Sequence, residues 1–210
     1  MNSLIICTLA VFGLVYGRPA TNEEAQVEAL GKIKMDINDL FSDDLLKLFT
    51  PELNEFTTSL TLLDASSFLA LAGQKDQFKT VKDVMDALKE TNEDTYDKVQ
   101  KLVTAYKKRY AELTPGAKKI LEESHFSGLC TKDLTTLSDA EGHEMVNKFR
   151  EALGKASDAD KKSIEKQLPL LYKLVNEPEI LKKAQSELKK KGKAYVAKIA
   201  KQQQDIASAA

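Results

Sequence analysis

Apolar residues recur at helical spacing along almost the whole of this 210-residue chain. No stretch alternates apolar with polar, and none carries an Asn-Gly or Asp-Gly hairpin turn. A chain so patterned can bury its stripes only by packing helix on helix. The sharpest case is Asn92 to Leu113, where Val99, Leu102, Val103, Tyr106, Tyr110 and Leu113 fall at i, i+3, i+4, i+7, i+11 and i+14 and so share one face. Composition agrees: nine Gly, five Pro and 28 Lys among 31 basic residues suit helices and disfavour a β-sandwich or barrel.

Breakers divide the pattern into short elements. Asp43 to Phe49, Glu52 to Ser59 and Leu62 to Ala72 are separated by Thr50-Pro51, by Ser59 to Thr61 and by Gly73. Thr80 caps a stripe of Val81, Val84, Met85 and Leu88, and Thr114-Pro115 supplies a cap and an N1 proline ahead of Ile120 and Leu121. Glu141 to Leu153 is expected to end at Gly154. Ser157 then opens one helix carrying Ile164, Leu168, Leu171 and Val175, and a last helix begins near Glu179. The expectation is an all-α, compact, irregular assembly of about nine short amphipathic helices, without an internal repeat.

The two ends differ from this body. Leu4 to Val15 is almost wholly apolar, too short to span a bilayer as a helix and right for the core of a secretory signal. Cleavage is expected after Gly17, which divides the chain into a signal (1–17), an N-terminal segment (18–40), a helical domain (41–188) and a Lys-rich extension (189–210). Removal of the signal takes Cys7 and leaves Cys130 as the single thiol, so the mature chain is expected to hold no internal disulfide.

Charge and chemistry narrow the function. With 31 basic and 32 acidic side chains the net charge is -1, and no global field recruits nucleic acid. One Cys and two His, His125 and His143, are too few for a structural zinc site, and no cofactor or metal is expected. A Cys130–His125 pair has the residue types of a nucleophilic dyad, but a surface histidine and a buried thiol is the plainer reading. No phosphate loop or nucleophile elbow occurs, so the chain is read as not an enzyme, with no catalytic residues.

The segments Pro51-Glu52-Leu53-Asn54-Glu55-Phe56, Ser59-Leu60-Thr61 with Asp64, Asp86-Ala87-Leu88-Lys89, Thr95-Tyr96-Asp97-Lys98-Val99 and Leu113-Thr114-Pro115-Gly116-Ala117-Lys118 follow one another in that order. Ser157-Asp158-Ala159-Asp160-Lys161 and Leu168-Pro169 to Asn176-Glu177 continue the series. In order and spacing this resembles the nematode fatty acid- and retinol-binding proteins over about Phe41 to Leu188. The Thr- and Ser-rich stretch Ser127 to Ala140 and the tail after Leu188 depart from that pattern.

The resemblance implies a secreted, all-helical wedge around an expandable apolar cavity for long-chain fatty acids and retinol. The stripe residues that would line it are Leu69, Val84, Met85, Leu88, Val99, Leu102, Val103, Tyr106, Ile120, Leu121, Phe149 and Leu171. Arg109 and Arg150 interrupt apolar stripes and are candidates for the ligand's head group; snorkelling along the edge of the core is the alternative. Thr61-Leu62-Leu63-Asp64 has the form of an acid-directed phosphosite at Thr61, and equally of an N-cap. The rival class is a helical surface-active or protein-interaction protein of the apolipoprotein kind, with no stoichiometric cavity. In the C-terminal helix that begins near Glu179, Lys182, Lys183, Lys189, Lys190, Lys191, Lys193, Lys198 and Lys201 stand against only Glu179, Glu187 and Asp205. With a stripe of Leu181, Ala184, Leu188, Tyr195 and Ile199, that basic helix suits transient contact with anionic membranes.

Overall fold

In the computed structural model the described residues are 31–35, 40, 42–72, 74, 77, 78, 80–124 and 139–177, with isolated positions up to 201. The side chains of Leu69 and of residues 139–143 are outside this description, as are the signal, Cys130, His125 and most of the Lys-rich tail. The named elements among the described residues are all helices: α1 (Asp43–Leu46), α2 (Pro51–Ser59), α3 (Leu62–Ala72), α4 (Val81–Thr91), α5 (Glu93–Ala111), α6 (Pro115–Glu123), α7 (Asp139–Lys155), α8 (Asp158–Gln167) and α9 (Pro169–Asn176). The all-α expectation is met.

Helix starts follow local chemistry. Thr50, Thr80, Asn92, Thr114 and Ser157 each accept a backbone N–H into the first turn, and Pro51, Pro115 and Pro169 occupy N1, where the missing donor costs nothing. Two boundaries differ from the pattern-based expectation. The helix expected to run from Ser157 through Val175 is two helices, α8 and α9. Pro169 cannot donate to the ladder and forces the residue before it out of helical geometry, so Leu168 sits at φ -133°, ψ 57°. Conversely α7 runs through Gly154 to Lys155, because a glycine inside a helix weakens it without ending it.

Packing falls into two groups. α5 lies along α4 and α2, with α3 on α4; α6 packs on α7 and α8, and α9 closes against α8 and α7. A single apolar core runs through both, from Leu53, Phe56 and Phe68 to Phe149, Leu153 and Ile164. Each such fully buried side chain contributes about 1.5–3 kcal/mol. Met35 and Leu40, which precede the expected domain start at 41, are buried in the same core. Lys34 forms an isolated antiparallel bridge with Thr61, closed by Met35 N–H to Leu60 O (2.8 Å) and Leu62 N–H to Ile33 O (3.1 Å).

Candidate functional site

The apolar residues expected to meet a ligand fall into two kinds. Leu88, Val99, Leu102, Tyr106, Ile120, Leu121 and Phe149 are buried at the centre of the core. Val84 and Met85 on α4, Val103 on α5 and Leu171 on α9 are half-buried and pack against that core from outside. Leu69 lies on α3, with its side chain outside the described residues. The outer set keeps part of its surface in water, whereas the inner set is shut off from it.

At the C-terminal end of the α5 stripe the apolar face closes in a polar cluster. Arg109 donates from Nε (2.9 Å) and Nη2 (2.7 Å) to the same oxygen of Glu52, in the first turn of α2. The pair sits at the margin of the core, with side chains 19% and 36% exposed. Burial pushes the Glu52 carboxyl up, but its backbone hydrogen bond, Arg109 and Thr50 outweigh that and hold it below its ordinary value. Tyr106, one turn before Arg109, shares a hydrogen bond with the buried Thr50, and burial pushes its phenol up.

Arg150 has a different task. It is exposed; its Nε donates to the Val175 carbonyl (3.0 Å) and its Nη1 to Asn147 Oδ1 (3.3 Å), so it caps the last turn of α9 from α7. The two arginines are thus held by different helices. Thr61 is buried: its hydroxyl donates to Asp64 Oδ2 (2.8 Å) and accepts from Asp64 N–H (3.3 Å) while its own N–H donates to Asp64 (2.6 Å). That is the capping box of α3, and a phosphoryl group at Thr61 would first have to open it.

Three acids carry much of the polar architecture: Asp64, which the Thr61-x-x-Asp64 pattern marks, and Glu52 and Asp160, to which the sequence alone assigns no role. Asp64, 1% exposed, also accepts from Thr95 Oγ1 (2.6 Å) and from Lys98 Nζ (2.7 Å), both on α5. Asp160 on α8 accepts from Thr114 Oγ1 (2.6 Å) at the start of α6, and the Thr114 N–H donates to Ser163 Oγ (3.1 Å). A Cβ on Gly116 would stand 2.6 Å from Asp160 Cγ, so glycine is what lets this carboxylate approach the helix N-terminus. A signal for them was present. Asp64 with Thr95 and Lys98, and Gly116 with Asp160, stand in segments that carry the family resemblance and meet across helices, whereas Glu52 stands in such a segment and its partner Arg109 does not.

A sequence model of the family described as "Nematode fatty acid retinoid binding protein (Gp-FAR-1)" matches residues 47–186, 140 of the 210 positions. The chain belongs to that family. The match runs from just before α2 to beyond α9 and so takes in every helix just described except α1. No curated protein and no solved structure matches the chain. The family is one of lipid-binding proteins, named for fatty acids and retinoids. Among the described residues no three metal-ligating side chains converge, and no helix is long and apolar enough to cross a membrane.

Proposed function

We propose that this chain is a secreted, non-enzymatic carrier that holds a long-chain fatty acid or a retinoid in an apolar cavity that opens between its helices. The observation that carries the reading is the family match over residues 47–186. The half-buried Val84, Met85, Val103 and Leu171 against the core support it as the surfaces the tail meets first. About fifteen methylenes at roughly 0.8 kcal/mol each contribute on the order of 12 kcal/mol before ordering costs, so affinity resides in the tail. A head-group ion pair at a partly exposed margin adds about 0–1 kcal/mol, which leaves room for both a carboxylate and an alcohol.

The chain has no Trp, so the test uses a fluorescent ligand. Delipidated protein is titrated with an environment-sensitive fatty acid, which is then displaced by oleate and by retinol. Stoichiometric, saturable displacement is expected, and Val103→Asp, at a half-buried position, should lose it while the protein stays folded. Failure of both competitors to displace the probe overturns the reading. In the same proposal the signal is removed after Gly17, which mass analysis of secreted protein checks by finding Arg18 first. The Lys-rich tail docks the loaded carrier on anionic membranes; removing residues 189–210 should slow ligand transfer to anionic vesicles at low salt, with the difference vanishing at high salt.

A further inference from the structure

Arg109 is positioned as a head-group residue should be, at the end of the buried Val99–Leu102–Tyr106 stripe and at the margin between core and water. Yet a carboxylate already occupies it. Both donors of its fork that face α2 end on one oxygen of Glu52, at 2.9 and 2.7 Å. Glu52 is in turn set in place by Thr50 and its own backbone N–H in the first turn of α2. We infer that Glu52 is a built-in stand-in for the ligand's carboxylate, and that by occupying Arg109 it sets the carrier's balance between acid and alcohol ligands. This rests on the carrier reading above.

The physical argument is one of exchange. A fatty acid that engages Arg109 must release Glu52, so one carboxylate–guanidinium pair replaces another and the net gain is close to nothing. An alcohol such as retinol has no need of Arg109 and loses nothing by leaving the pair intact. The acid therefore gains no advantage over the alcohol from the only arginine placed at the end of this stripe. Take away Glu52 and the arginine is left without its carboxylate at a site four-fifths shielded from water, where a ligand carboxylate restores the pairing and a hydroxyl does not.

The test measures displacement of an uncharged fluorescent fatty alcohol by oleate and by retinol, and reads the ratio of the two affinities. In Glu52→Gln the oleate-to-retinol ratio should rise about two- to fivefold, and in Glu52→Ala by a similar factor. The rise should disappear in the double variant Glu52→Gln/Arg109→Ala. Asp86→Asn on α4 removes a comparable charge from an exposed Lys82–Asp86 pair and should keep the wild-type ratio. Each variant is checked for a cooperative melt, and two substitutions at a residue that is over one-third exposed guard against loss of fold. An unchanged ratio in both Glu52 variants, or a rise that survives loss of Arg109, overturns the inference. Wild-type protein that binds neither oleate nor retinol instead overturns the carrier reading.

Discussion

Asp64 and Asp160 hold the same place in the same short pattern, Thr61-x-x-Asp64 before α3 and Ser157-x-x-Asp160 before α8, yet they do different things. Each acid closes on its own cap hydroxyl, at 2.8 and 2.6 Å. Asp64 is then covered by α5, which brings Thr95 and Lys98 to it in the interior. Asp160 stays near the surface and reaches across to the start of α6. Thr80-x-x-Asp83 before α4 is a third example; the hydrogen bonds that close it are exposed. The four-residue pattern makes a cap, and the neighbouring helix decides whether losing its acid costs under about 1 kcal/mol or about 3.

The largest effect is expected where the acid is buried. Asp64→Ala strips partners from the Thr61 N–H, the buried Thr95 hydroxyl and Lys98 together, and should destabilise by about 3 kcal/mol in urea unfolding, since orphaned buried donors cost 1–3 kcal/mol each while Lys98, 25% exposed, recovers water. A loss no greater than that of an exposed cap would break the comparison. Gly116→Ala comes next: its Cβ would displace the Asp160 carboxylate from α6 at a cost of about 1–2 kcal/mol. The same change in an Asp160→Ala background should cost far less, a double-mutant cycle that sharpens the assignment. Asp83→Ala, which opens a box whose hydrogen bonds are exposed, should cost about 0.5–1 kcal/mol.

Acid gives the smallest and most graded test. The Ser157 hydroxyl above all, then Thr114, hold the Asp160 carboxyl below its ordinary value. A carboxyl depressed in the folded state contributes stability above its unfolded pKa of about 4 and loses it as pH falls through the lower folded value. Lowering pH from 6 toward 3 should therefore shift the urea midpoint down, and Asp160→Asn should flatten part of that shift. An identical acid profile in the variant would remove Asp160 from the account.

Much of the fold could be read from residue spacing. Leu62–Ala72 is a helix between the same residues as expected, and Val99, Leu102 and Tyr106 are buried as their period requires. The break at Leu168 was also in the text, as Pro169, but a continuous run of Ile164, Leu168, Leu171 and Val175 concealed it. Two short helices separated by a single residue keep nearly the same apolar spacing in sequence as one long one. The polar side of the site was less legible. Arg109 was found because it interrupts an apolar stripe, while its partner Glu52, 57 positions earlier, looks like any first-turn acid.

The sequence by itself determined the helices, their capped starts and the family to which they belong, because caps, prolines and apolar periods act over three to seven residues and need no partner. Only the tertiary structure decided which Thr-x-x-Asp box is buried, that Arg109 is already held by a carboxylate, and which of the stripe residues lie at the core's centre and which at its flank. Those outcomes depend on residues 31 to 57 positions apart arriving at one place. An acid's burial and its pairing are set by what packs over it, and the chain's local order carries no record of that.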